Sequence, residues 1–64
     1  MKAKTDVTVN LVGEDGNAFA IMGRVSKALR RAGHKDLEDA YLKEAQSGDY
    51  NNLLRVTMEY VITE

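Results

Sequence analysis

The chain has 64 residues, of which 44% are hydrophobic and 30% are charged, and its net charge is -1. A chain this short forms a single domain, residues 1–64, and buries only about 60% of the surface that it exposes when unfolded. It contains no Cys and only one His, which excludes disulfides and the usual zinc sites of Cys and His ligands. The near-neutral charge also disfavours a protein whose main task is to coat nucleic acid.

The composition also predicts where the protein resides and in what form. Its apolar runs fall far short of the roughly 20 residues that a membrane span needs, so we expect no membrane segment. The absence of Cys is consistent with a reduced, cytoplasmic setting. Small domains without a disulfide or a metal often oligomerise, and we therefore expect a homodimer.

The first predicted element is a strand from Thr5 to Val12, a stretch rich in β-branched residues. Its apolar side chains Val7, Val9 and Leu11 alternate with polar ones, which is typical of a half-buried strand. Such a strand needs a partner for its backbone groups, and we expect to find it at the C-terminus or in a second copy of the chain.

The segment from Gly13 to Gly33 predicts a helix with both of its ends marked. Asn17 is a good N-cap, and Gly33 is suited to the position just past the helix end. Apolar residues recur between them with the helical period and predict a buried stripe. Its members are Ala18, Ile21, Met22, Val25, Leu29 and Ala32.

A second helix is predicted to begin at Asp36 and to end before Ser47 and Gly48. Only residues 33–35 separate it from the first helix, so the two should form a helical hairpin or a corner. Its buried side is predicted to consist of Leu37, Ala40, Tyr41 and Ala45.

The last segment fits two periods at once. As a strand, residues 54–63 alternate apolar and polar positions over part of their length, whereas as a helix capped by Asp49 the segment places Asn51 and Asn52 on the polar side. We favour a helix from Tyr50 to Tyr60, followed by a short strand from Val61 to Thr63 that pairs with residues 7–11.

Together these elements predict a small α+β domain of order β-α-α-α-β. The predicted core consists of Val7, Val9, Leu11, Ile21, Met22, Val25, Leu29, Leu37, Tyr41, Leu53, Leu54, Thr57 and Val61.

The runs GEDGNAFAIMGRVSKALRRAG and LKEAQSGDYNNLLRVTMEYV resemble a group of short proteins encoded in bacteriophage and prophage genomes. The shared features are a helix that starts with Gly-Asn and apolar residues and a later Ser-Gly-Asp-Tyr turn. The resemblance covers about residues 9–63. It implies a viral or prophage accessory protein in the bacterial cytoplasm and carries no assigned catalytic or ligand-binding role.

Two surfaces of the first helix are candidate binding sites. Arg24, Lys27 and Arg31 are spaced to stack along one face opposite the buried stripe, where they would contact phosphates or an acidic protein surface, or simply face solvent. Phe19, Ala20 and Gly23 lie on a flank that the buried stripe does not use. Because a mid-helix Gly costs about 1 kcal/mol relative to Ala, we expect something to pack closely there, either within the chain or across an interface.

Other residues whose side chains could bind a metal or take part in catalysis are better explained by a structural role. Glu14 and Asp15 oppose phosphate binding in the turn before the first helix, and even with Asp6 they are a weak cation site. His34 follows a helix end and has no nucleophile in a recognisable context, since Cys is absent and neither Ser26 nor Ser47 stands in a catalytic motif.

We therefore expect no enzyme, no cofactor and no metal. The leading hypothesis is an accessory protein that binds another protein, such as a host protein, and forms a homodimer. Weak nucleic-acid binding through Arg24, Lys27 and Arg31 is one alternative. Sequestration of a small ligand at a subunit interface is another.

Overall fold

A computed structural model describes residues 3–11, 13 and 16–64. Three helices lie between two short strands, which confirms the predicted α+β fold and its order β-α-α-α-β. The elements are β1 (Thr8–Val9), α1 (Ala18–Arg31), α2 (Lys35–Ala45), α3 (Tyr50–Tyr60) and β2 (Ile62–Thr63).

Local side-chain chemistry sets both ends of α1. The Asn17 side chain accepts a hydrogen bond from the Ala20 backbone N–H, as an N-cap does. At the other end Gly33 has φ +87°, and the N–H groups of Gly33 and His34 donate to the carbonyls of Arg30 and Leu29. These two bonds form a Schellman motif, which a residue with a Cβ would strain. The predicted helix bounds are confirmed.

The other two helices differ slightly from their predicted starts. Asp49 caps α3 as expected, because its side chain accepts from the Asn52 N–H at 2.9 Å. The α2 helix begins at Lys35, one residue before the predicted Asp36, with His34 at its N-cap and no side-chain cap. A boundary that lacks a capping side chain leaves no mark in the sequence, which explains the difference.

The strands form a parallel pair in which Thr8 lies opposite Ile62 and Val9 opposite Thr63. The Val7 and Val9 carbonyls accept from the N–H groups of Ile62 and Glu64, so the predicted pairing of residues 7–11 with the C-terminus is confirmed. Regular strand geometry covers only Thr8–Val9 of the predicted Thr5–Val12, although the N–H groups of Thr5 and Leu11 also donate to the carbonyls of Tyr60 and Glu64; Val12 lies outside the described residues.

The core lies where the three helices meet the sheet, and every predicted core residue is buried or packs against it. Ala32 and Ala40 were predicted to be buried and are exposed. Ala32 is the C-cap residue of α1, beyond the last core contact, and Ala40 shows that the apolar side of α2 is narrower than predicted. Ala45 is buried, as predicted for its side of α2, whereas the buried residues Ser26, Glu38, Val56 and Tyr60 are missing from the predicted core.

Two contacts join the helices on the packed side of the molecule. The hydroxyls of Tyr41 and Thr57, both buried, lie 2.7 Å apart and link α2 to α3. The Tyr41 and Tyr60 rings meet edge to face with centroids 5.4 Å apart, a favoured aromatic geometry.

Candidate binding groove

The basic residues of α1 line an open groove of about 600 Å³ between this helix and β1. Arg24, Lys27 and Arg31 are all exposed, as predicted. The remaining lining residues come from β1 and its end and from small residues of α1. They are Thr8, Val9, Asn10, Ala20, Gly23 and Ala28.

The groove joins two surfaces that the sequence presents as separate. Ala20 and Gly23 lie beside the basic residues, because their positions on the helix adjoin those of Lys27 and Arg24 when 3.6 residues make one turn. Phe19 is not among the lining residues and is 87% exposed. The predicted flank of Phe19, Ala20 and Gly23 is therefore divided, with two members in the groove and one outside it.

The described residues leave open space where a side chain on Gly23 would stand. A Cβ added to it would meet no atom within 4 Å, so the expected close packing at this position within the chain is wrong. The reason is that this face of α1 points towards the groove, whereas α2 and α3 pack against the opposite face. The mid-helix glycine makes the groove wider without improving any internal contact.

The opposite wall of the groove is the outer edge of β1. In a parallel pair the backbone groups of alternate residues point to alternate edges. Val7 and Val9 direct theirs to β2, so those of Thr8 point away from β2. Among the described residues no third strand pairs with this edge.

Two of the three cations in the groove are left without an ion pair by the described residues. Among the described residues neither Lys27 nor Arg31 forms an ion pair. Arg30, the next residue along α1, points elsewhere and pairs with Glu38 through bonds of 2.8 and 3.3 Å. The Arg30 guanidinium, by these hydrogen bonds, holds the pKa of the Glu38 carboxyl below its usual value.

The other candidate residues lie away from a common site. His34 is the half-buried N-cap of α2. The hydroxyl of Ser26 donates to the Gly23 carbonyl at 3.2 Å, and that of Ser47 donates to the Glu44 carbonyl at 2.6 Å. Both hydroxyls therefore serve helix carbonyls and not a dyad with the histidine.

The proposed cation ligands cannot all be placed, because Glu14 and Asp15 lie outside the described residues. In the part of the chain that is described, no three His, Cys, Asp or Glu residues cluster as metal ligands. The N–H of Gly16, the residue after Asp15 in the sequence, donates to the Tyr50 hydroxyl at 2.7 Å. This hydrogen bond links the segment before α1 to the start of α3.

Sequence reasoning missed the strand wall of the groove. The polar positions Thr8 and Asn10 were predicted on the outer face of the strand, and that alternation was the available signal. It does not reveal that the basic face of α1 lies next to the strand edge, since residues 8 and 24 are brought together only by the fold.

Comparison with protein-family models, with curated proteins and with solved structures finds no match for this chain. Within the described residues no helix is both long enough and apolar enough to cross a membrane. The groove is therefore the feature from which a function is inferred.

Proposed function

We propose that this protein is a non-catalytic binding module that holds an acidic segment of another protein in the groove between β1 and α1. One observation carries the proposal: three basic side chains line the same groove as an open strand edge. Cations at the rim attract and orient an acidic partner, and backbone groups at a strand edge suit a peptide.

Nucleic acid is the less favoured partner. Three phosphate contacts would give weak binding. The logarithm of the association constant would fall with the logarithm of the salt concentration at a slope of about -3. The chain has a net charge of -1, which opposes a polyanion outside the groove. A strand edge presents both N–H donors and carbonyl acceptors, and a peptide backbone is complementary to both, whereas phosphates can use only the donors.

The resemblance to short phage and prophage proteins supports a role as an accessory protein in the bacterial cytoplasm, where the acidic segment would belong to a host protein. Small size and lack of Cys are consistent with this setting. A bound acidic segment requires no cofactor and no catalysis.

A homodimer is a second proposal, supported by the exposure of Phe19 at 87%. Small domains without a disulfide or a metal often oligomerise, and a second copy that packs on α1 would bury this side chain. Light scattering on the purified chain and on Phe19→Ala measures this directly. A monomer at all concentrations would contradict the proposal, and a dimer lost in the variant would support it.

The acidic-segment proposal is tested with a capped eight-residue peptide of alternating threonine and glutamate, titrated into the isotopically labelled protein. We expect chemical-shift changes centred on Thr8, Gly23 and Lys27. A peptide with lysine in place of glutamate should not bind. Affinity should fall as salt rises, because the rim charges are exposed.

A matched pair of variants shows whether the groove cations are responsible. Lys27→Ala/Arg31→Ala and the control Lys35→Ala/Lys43→Ala each remove two exposed positive charges. We expect the groove variant to weaken peptide binding about tenfold, equivalent to about 1.4 kcal/mol, and the control to change it less than twofold. Equal losses, or binding of a short DNA duplex without binding of the peptide, would refute the proposal.

A further inference from the structure

We propose that the acidic partner binds by strand addition: an extended segment lies in the groove beside β1 and becomes the third strand of the sheet. This inference rests on the proposed function and specifies the conformation of the bound segment. Its own evidence is the geometry of the strand edge, the space at Gly23 and the spacing of the cations on α1.

The edge of β1 is suited to pairing. Proteins usually protect a free strand edge by making it very short or charged, or with a bulge, a proline or a covering element. The regular part of β1 is short, so the pairing groups that it offers are those of Thr8. Thr8 and Val9 have extended geometry without a bulge in the described register, and Pro is absent from the chain. The helix α1 contacts β1, and the groove lies between the exposed side chains of α1 and residues 8–10. The outward N–H and carbonyl of Thr8 therefore face the space that a third strand would occupy.

The helix side of the groove leaves room for the side chains of such a strand. Ala20, Gly23 and Ala28 are the smallest residues on α1's groove face, and no atom lies within 4 Å of a Cβ built on Gly23. A glycine in the middle of a helix destabilises it relative to alanine. Among the described residues no contact of a Cβ at this position would be lost by that choice, whereas a bound segment would use the space.

The spacing of the cations matches an extended peptide. Lys27 and Arg31 are four residues apart, which is about 6 Å along a helix axis. Side chains on one face of a strand repeat every 6.7 Å or so, so acidic residues at alternate positions come within reach of successive cations. The long side chains of Arg and Lys accommodate the remaining mismatch.

A second copy of this chain is a poor occupant of the same groove. In a symmetric pair the same surface patch contacts itself. Pairing two β1 edges would therefore bring the cations of both grooves together, and like charges placed close to each other cost binding energy. Charge complementarity thus selects an acidic partner.

Backbone methylation of the peptide tests the pairing without altering its charge. Two versions of the threonine–glutamate peptide are compared, one methylated on the threonine nitrogens and the other on the glutamate nitrogens. In a strand, alternate N–H groups point to opposite edges, so only one version blocks pairing with β1. We expect one version to lose affinity at least about tenfold, which corresponds to 1.4 kcal/mol of binding free energy. The other should bind within about threefold of the parent.

The outcomes separate the two proposals. Equal affinities or equal losses for the two methylated peptides would overturn strand addition and leave the acidic groove intact. Failure of the parent peptide to bind would overturn the groove proposal as well. Amide hydrogen exchange at Thr8 gives an independent readout: it should slow in the complex, and unchanged exchange with the groove saturated would contradict strand addition.

Filling the groove provides a further test in a protein that folds. Gly23→Leu introduces a good helix former into open space, so we expect a stable protein that binds the peptide at least about tenfold more weakly. Ala40→Leu adds the same side chain to an exposed position of α2 and should leave binding unchanged. Full binding by Gly23→Leu would show that the segment does not occupy this space.

Discussion

The two sides of α1 are built differently. On the packed side, Leu29 and Val25 are fully buried, and Arg30 reaches across to a nearly buried Glu38. On the groove side the residues are small or charged, and Gly23 has no neighbour where a side chain would stand. Interactions on the packed side are satisfied within the chain, whereas under the proposed function the groove side would use Lys27, Arg31 and the space at Gly23 to hold a partner. Stability and binding are therefore separable on one helix.

Truncating the packed side should give the largest effect on stability. Leu29→Ala removes a side chain that is completely buried between the helices and should cost about 3 kcal/mol of unfolding free energy. Lys27→Ala, on the groove side of the same helix, should stay within about 0.5 kcal/mol. Urea denaturation followed by circular dichroism measures both, and comparable losses would erase the distinction between the two faces.

Alkaline pH should also act on the packed side. Burial, together with the neighbouring Glu44 carboxylate, raises the pKa of Tyr60 to about 12, above its ordinary value near 10. The unfolded chain loses this proton first, so the contribution of Tyr60 to stability is complete below pH 10 and is lost as pH rises towards 12, by up to roughly 3 kcal/mol. In Tyr60→Phe the free energy of unfolding should fall less steeply over this window. An identical slope would show that Tyr60 does not titrate differently on folding.

The hydroxyl pair between α2 and α3 should give an intermediate effect with a distinctive pattern. Tyr41→Phe leaves the buried Thr57 hydroxyl without its 2.7 Å partner, which should cost about 1–3 kcal/mol. The double variant Tyr41→Phe/Thr57→Val removes both polar atoms and should recover most of the loss. Additive losses in the double variant would mean that the hydroxyls are not coupled.

The smallest effect, and the one of opposite sign, is expected at Gly23. Gly23→Ala should raise the free energy of unfolding by about 0.5–1 kcal/mol, because alanine is the better helix former and its Cβ meets no atom. The same variant should bind the acidic peptide less well, since the methyl group enters the groove. A variant that is more stable and binds equally well would remove the functional reason for this glycine.

Much of the fold was predictable because its signals are local. Asn17 and Asp49 cap the helices that they were expected to cap, and Gly33 ends α1 with the backbone conformation that glycine favours. The doubly periodic last segment is a helix up to Tyr60 followed by the short strand, as favoured. Errors occurred where local signals are weak, such as the uncapped start of α2 and the exposed Ala40.

The groove was only half predictable. The exposure of Arg24, Lys27 and Arg31 follows from their spacing on α1, and the small residues Ala20 and Gly23 were noticed, although grouped with Phe19. Their meeting with Thr8 depends on how the crossover from β1 to β2 packs α1 against the sheet. No pattern within a single segment reports such a distance.

The sequence by itself determined the order of the elements, the caps of α1 and α3 and the buried stripe of each helix, because these depend on residues within a few positions of one another. Only the tertiary structure decided that the strands run parallel, that Gly23 faces open space among the described residues and that the basic face of α1 lies beside β1. Those features depend on contacts between residues far apart in the chain, and the packing of three helices over one short sheet brings them together.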